Sequence, residues 1–228
     1  AEAADAERYQ TIYATEDGSV AAPTAGLHFT EKVFDSLKKK QIDTEYITLH
    51  VGAGTFMPVK SEMLADHIMH EEFIEVKAAT VERLIKKLPD PVIAVGTTSL
   101  RTMESLYWLG LKVAVNHQIS PAGLTVDQWE PYRPHPELSA EEALNFLLEW
   151  IRRQPGQQLV TQTQLFIVPG YSFKIIRGLI SNFHQPQSTL LLLIAALIGD
   201  QWKKIYRHAL ENEYRFLSYG DGCLFLPG

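Results

Sequence analysis

Apolar residues recur along this chain with two periods. Ile47, Leu49 and Val51 alternate with Tyr46, Thr48 and His50, the period of two that buries one face of a strand. Phe73 to Val76 and the alternating Leu159, Thr161, Thr163, Leu165 and Ile167 read as further strands, and Cys223 to Leu226 as a last one. Val92 to Val95 is a continuous apolar run ended by Gly96, as expected of a buried strand. Between these runs the period becomes helical. Val33, Phe34 and Leu37 follow an N-cap at Thr30 and end on Lys38, Lys39 and Lys40, whose charge complements the helix dipole. Val81 to Leu88 is a second helix. Leu100, Met103 and Tyr107 mark the face of a third, with Gly110 expected to close it. Ser139 and Glu142 form a capping box ahead of Leu144, Leu147, Leu148 and Ile151. Ser188 precedes Leu190 to Ile198, which is apolar all round and therefore expected at the centre. Asp200 is expected to cap a final helix with Ile205, Ala209 and Leu210 facing inward. Interleaved helices and strands predict an α/β class, a layered fold with a mixed β-sheet and flanking helices. No internal repeat breaks this pattern.

Composition narrows the class without changing it. The 228 residues are 46% apolar and 21% charged, ordinary for a folded domain. Lys and Arg number 21 against 27 Asp and Glu, so the net charge of −6 argues against a broad nucleic-acid-coating surface and leaves room for a local basic patch. Cys223 is the only cysteine, which forbids an internal disulfide and points to a reducing, cytoplasmic setting. The longest apolar run has nine residues, so no membrane helix is expected. The start, AEAADAERYQ, has neither Met nor a signal core and reads as the end of a helix. The chain is therefore expected to be a single α/β domain, residues 1–228, from a longer protein, and a monomer. Residues 116–136 hold four prolines and read as a surface excursion; with the capped helix that follows, 116–153 looks like an insertion.

Four segments could carry chemistry. Gly52-Ala53-Gly54-Thr55 follows a strand, but Met57 stands where a dinucleotide fingerprint needs its third glycine. It is either a close-approach ligand turn or a structural one. Gly96 delivers Thr97, Thr98 and Ser99 onto a helix start, where hydroxyls and free amides suit an anion or simply cap the helix. Arg101 in that first turn opposes the dipole and so calls for an anionic partner. In HIMHEE at 67–72, His70 and Glu72 suit acid–base work or an ordinary polar helix end; the metalloprotease spacing is absent and no metal site is expected. Asn182, Phe183 and His184 precede the central helix, and Arg215, Tyr219 and Asp221 lie in an aromatic, polar C-terminal stretch suited to base stacking or edge packing.

Taken together, several strings are similar to the S-adenosylmethionine:tRNA ribosyltransferase-isomerase family of queuosine biosynthesis. They are YQTIYA at 9–14, GSVAAPTAGLHFT at 18–30, TLHVGAGTFMPV at 48–59, HIMHEE at 67–72, AVGTTSLRTMES at 94–105, FIVPGYSFK at 166–174, NFHQPQSTLLLL at 182–193 and YRFLSYGD at 214–221. The resemblance implies transfer and isomerisation of the ribosyl group of S-adenosylmethionine onto 7-aminomethyl-7-deazaguanine at a tRNA wobble position. An epoxycyclopentane is formed, and adenine and methionine leave. It implies tRNA and S-adenosylmethionine as partners, no cofactor beyond that co-substrate, and a preceding N-terminal portion with a small β domain. The sulfonium acidifies neighbouring C–H bonds, so a positioned base is required. His28, His50, His70, Glu72 and His184 lie inside the matched strings and are the expected proton-transfer groups. Gly52, Gly54, Thr55, Thr97, Thr98, Ser99, Arg101, Asn182, Arg215, Tyr219 and Asp221 are the expected substrate contacts. The chain departs from the family pattern at Met57, where Arg is expected, at Gln185 and Gln187, and at Ile176-Arg177, where Val-Asp is expected. A divergent relative that binds a nucleoside or tRNA without catalysis, or turns over an altered substrate, is the alternative.

Overall fold

The computed structural model describes residues 11–13, 23–50 and 67–227. Six strands form two sheets among them. β1 (Thr48–His50), β2 (Glu72–Lys77) and β4 (Gln158–Thr163) make an antiparallel sheet in the order β1-β2-β4. β3 (Val92–Val95), β5 (Ile176–Asn182) and β6 (Gly222–Phe225) make the mixed sheet: β3 runs parallel to β5, and β5 antiparallel to β6. The α/β class and the mixed sheet agree with the sequence pattern; the strands divide between two small sheets.

Six α-helices flank them: α1 (Glu31–Lys39), α2 (Ala78–Lys87), α3 (Thr97–Val115), α4 (Ala140–Arg152), α5 (Thr189–Ile198) and α6 (Gln201–Glu211). α4 starts with the expected capping box: the Glu142 amide donates to Ser139 Oγ, and the Ser139 amide donates to the Glu142 carboxylate. Ser188 Oγ likewise accepts from the Leu191 amide at the start of α5. None of α5's residues is exposed, which follows from a run with no polar face. One hydrophobic core joins both sheets through α3, where Leu100, Leu106 and Leu109 are fully buried.

Three expectations need correction. Gly110 does not end its helix; α3 continues to Val115. A side chain at Gly110 would place Cβ 2.0 Å from the Ala143 carbonyl oxygen, so this glycine is where α4 crosses α3 at backbone contact. Gly110→Ala is therefore expected to cost roughly 2–3 kcal/mol despite alanine's better helix propensity, since the obstacle is backbone. A urea midpoint unchanged from wild type would refute this. Leu210 is 68% exposed, because α6 buries only Tyr206 and Ala209. Finally, the excursion at 116–136 is not wholly on the surface. Leu124 and Val126 are buried, and Val126 bridges to Thr163 beside β4.

β5 escaped the pattern reading. Arg177 and Gly178 interrupt its apolar run, yet Gly178 is empty for a reason. A Cβ there would lie 2.6 Å from Ile93 and 2.7 Å from Leu226, so the two side chains close over the gap it leaves.

Candidate active site at the carboxyl ends of the parallel strands

In open α/β sheets, ligands bind beyond the carboxyl ends of parallel strands. Here β3 and β5 end together. Gly96 has a positive φ of 91°, which lets the chain leave β3 and enter α3 at once, and its amide donates to the Ile180 carbonyl at 2.8 Å. Thr97 is buried and Thr98 and Ser99 are half-buried in the first turn of α3, which carries no acidic residue. A short 3-10 turn, Thr24–His28, packs against this end, and Ala25 would be 3.9 Å from a Cβ on Gly96.

Apart from His70, the expected residues whose side chains are described fall into three groups. On one face of β5, Asn182 Nδ2 lies 3.0 Å from His28 Nε2 and donates to the Gly220 carbonyl at 3.4 Å. The His28 ring rests on Gly222, where any Cβ would meet it at 3.0 Å. Asp221 beside it holds Arg215 twice, accepting from the Arg215 guanidinium and from its backbone amide, both at 2.8 Å. These bonds hold the Asp221 carboxyl below the usual range, with the nearby His28 a lesser contribution. Tyr219 is exposed on the same loop.

A second group lies at the first turn of α3. Arg101 Nη1 pairs with Glu72 Oε1 at 2.8 Å, and the two side chains are only 3% and 2% exposed. Arg101 Nε donates to the Leu165 carbonyl at 2.9 Å, and Thr98 Oγ1 to Glu72 Oε1 at 3.5 Å. Burial pulls the guanidinium below its ordinary value and Glu72 pushes it back. The anionic partner that Arg101 called for is thus internal. Arg101 Nη2 and Glu72 Oε2 have no partner among the described residues, so each fork keeps one uncommitted atom.

His184 belongs to a third group. Ser181 and Asn182 are neighbours in β5 and turn to opposite faces. His184 Nε2 lies 2.9 Å from Ser181 Oγ, and its amide donates to the Tyr206 hydroxyl at 3.1 Å, on the α6 side. Burial lowers its pKa from 6.5 to about 4. The folded state then binds fewer protons than the unfolded one as pH falls from about 6.5 toward about 4, so stability is full above that window and is lost within it, by up to about 3 kcal/mol. Unfolding free energies measured across this range should drop for wild type and drop less for His184→Gln; coincident slopes would refute the assignment.

His70 is exposed and belongs to no regular element, while neighbouring His67 is half-buried. The His50 side chain and Gly52, Gly54 and Thr55 lie outside the described residues. The pattern reading missed Glu104, which is fully buried and accepts from the Tyr171 hydroxyl and the amides of Lys174, Ile175 and Ile176 at 2.8–2.9 Å. It ties the FIVPGYSFK segment to α3 and sets where β5 begins. The single carboxylate of a helix whose other charged residues are Arg101 and Lys112 was the available signal.

The fold and site together define a layered α/β protein whose ligand crevice is expected at the β3/β5 edge. The model of the queuosine biosynthesis protein family matches residues 1–225, and the chain belongs to that family. It is 44% identical over 225 residues to an S-adenosylmethionine:tRNA ribosyltransferase-isomerase of Treponema denticola, covering 97% of this chain and 53% of that protein. A protein of the same name from Legionella pneumophila (strain Lens) is 41% identical over 228 residues, 99% of this chain and 55% of the relative. Among solved structures, the S-adenosylmethionine tRNA ribosyltransferase of Thermotoga maritima aligns with a TM-score of 0.55 at 32% identity, over 89% of this chain and 51% of that one. The chain thus spans about half the length of the relatives it matches. Among the described residues, no helix is long and apolar enough to cross a membrane.

Proposed function

We propose that this chain carries the reaction centre of a cytoplasmic S-adenosylmethionine:tRNA ribosyltransferase-isomerase. The observation that carries this reading is identity of about 40% across nearly the whole chain with proteins bearing that name. The substrates are S-adenosylmethionine and a tRNA with 7-aminomethyl-7-deazaguanine at its wobble position. S-adenosylmethionine serves as co-substrate and no further cofactor is invoked.

In this reading the substrate lies in the crevice at the end of β3 and β5. Thr97, Thr98, Ser99, Gly52, Gly54 and Thr55 offer amides and hydroxyls to the methionine carboxylate or the ribose. Glu72 is the proton acceptor: Arg101 holds one of its oxygens, and the other, buried, has no partner among the described residues. A C–H bond next to the sulfonium loses its proton to that oxygen, and the electron pair stays on the carbon, held as a neutral ylide by the positive sulfur beside it. Asn182, Arg215, Tyr219 and Asp221 border the crevice on the β6 side. His50 and His70 serve as secondary proton carriers. His184, largely buried on the other face, holds the Ser181 end of β5.

The test is adenine release. The natural full-length protein, incubated with S-adenosylmethionine and precursor-bearing tRNA, should release adenine, and Glu72→Gln should lower turnover at least 100-fold, as loss of an essential proton-transfer group does. Binding of both substrates without adenine would instead fit a non-catalytic relative.

A further inference from the structure

His28 is exposed in a family-matched string, yet one edge of its ring is fixed with unusual completeness. Its Nε2 faces Asn182 Nδ2 at 3.0 Å, and Asn182 is 2% exposed. Which end of the Asn182 amide faces the histidine is decided by a third group. The same nitrogen reaches the Gly220 carbonyl at 3.4 Å, and a carbonyl only accepts, so the atom there must be the NH2. An NH2 has no lone pair to offer, so Nε2 must accept. The proton of the neutral ring then has to sit on Nδ1. Gly222 completes the clamp. A Cβ at that position would meet Cδ2, Nε2 and Cγ of the ring within 3.0–3.3 Å, so the Cδ2–Nε2 edge lies flat against bare backbone.

We propose that Asn182 is a positioning residue that locks His28 as the neutral Nδ1–H tautomer. His28 then meets its ligand as a hydrogen-bond donor through Nδ1, at the edge away from Gly222. Its lone pair at Nε2 is spent on Asn182 and is not available as a base toward the substrate. The ligand group this edge accommodates is an acceptor, such as a carboxylate oxygen, a hydroxyl oxygen or a heterocyclic ring nitrogen. This deepens the reading of the crevice as the S-adenosylmethionine site and rests on it for the identity of the ligand. The tautomer itself does not depend on that reading, because it is set by residues of the free protein.

The experiment is nitrogen NMR of the histidine rings in the natural protein without substrate, at about pH 8, where an ordinary histidine is neutral. His28→Gln assigns the resonances. Nδ1 of His28 should appear as the protonated nitrogen and Nε2 as the unprotonated one. In Asn182→Asp the carboxylate accepts from Nε2, so the two nitrogens should exchange character. Gly222→Ala should loosen the lock and move both resonances toward the averaged values of a free imidazole. A wild-type spectrum with the proton on Nε2, or an averaged one, overturns the proposal whether or not the variants fold. So does an Asn182→Asp protein that folds and leaves the His28 tautomer unchanged. A merely structural Asn182 predicts that unchanged tautomer.

Discussion

Glu104→Gln is expected to cost roughly 3–5 kcal/mol of folding stability, as about two charge-assisted hydrogen bonds at about 1.5–3 kcal/mol each would. Burial pushes the Glu104 carboxyl above the ordinary carboxylate range, and the four donors around it work against that push. Three of the donors are backbone amides, which cannot reverse their polarity. A carboxamide in the same place turns its NH2 toward at least one of them, and the remaining bonds lose charge assistance. The Tyr171 hydroxyl, which also accepts from Trp108 Nε1, has no free direction in which to compensate. The loss should register as a lower urea midpoint and as faster hydrogen exchange at Lys174, Ile175 and Ile176. A change under about 1 kcal/mol, or unaltered exchange there, would show that Glu104 does not anchor β5.

Glu104 also marks the limit of what the chain reveals by pattern. Pattern located β2, β3, α2 and α4 because each obeys one rule, a short apolar strand run or a one-sided helix, and because the capping box at Ser139 is a local signal. It failed at Gly110 because a glycine at a helix crossing and a glycine ending a helix look alike in one dimension; only Ala143, 33 positions away, separates them. It failed at β5 because that strand's central vacancy at Gly178 is filled by Ile93 and Leu226 from its two neighbours. The site behaved in the same way. The hydroxyls after Gly96 were legible as a strand–helix junction. The pairing of Arg101 with Glu72 was not, because it joins α3 to the start of β2 through tertiary packing alone. Likewise, the separation of His184 from His28 follows from one alternation of side chains, at Ser181 and Asn182, in a strand that the pattern did not reveal.

The Glu72–Arg101 pair gives the second large effect. Arg101→Met leaves the Glu72 carboxylate buried without its counter-charge and is expected to cost about 3–5 kcal/mol. Glu72→Leu alone strands the guanidinium at a similar cost. The double variant Glu72→Leu with Arg101→Met removes both charges and should recover most of that loss, since apolar replacements of a buried ion pair are often close to neutral. Chemical denaturation of the four proteins gives the coupling energy directly. The double variant also separates stability from chemistry. If Glu72 only supports the fold, the repaired protein should be active. If the Glu72 oxygen that Arg101 does not hold takes the substrate proton, the repaired protein should fold and bind S-adenosylmethionine yet turn over at least 100-fold more slowly. Additive losses in the cycle would contradict the buried pair.

The most direct measurement follows the ribosyl carbons themselves. S-adenosylmethionine labelled with ¹³C in its ribose is incubated with the natural full-length protein and tRNA bearing 7-aminomethyl-7-deazaguanine, and the tRNA is digested to nucleosides for mass spectrometry. The account predicts that the five labelled carbons appear together on the wobble nucleoside, in a product carrying the epoxycyclopentane, with adenine and methionine in solution. A wobble nucleoside that remains unlabelled while both substrates are bound would contradict it.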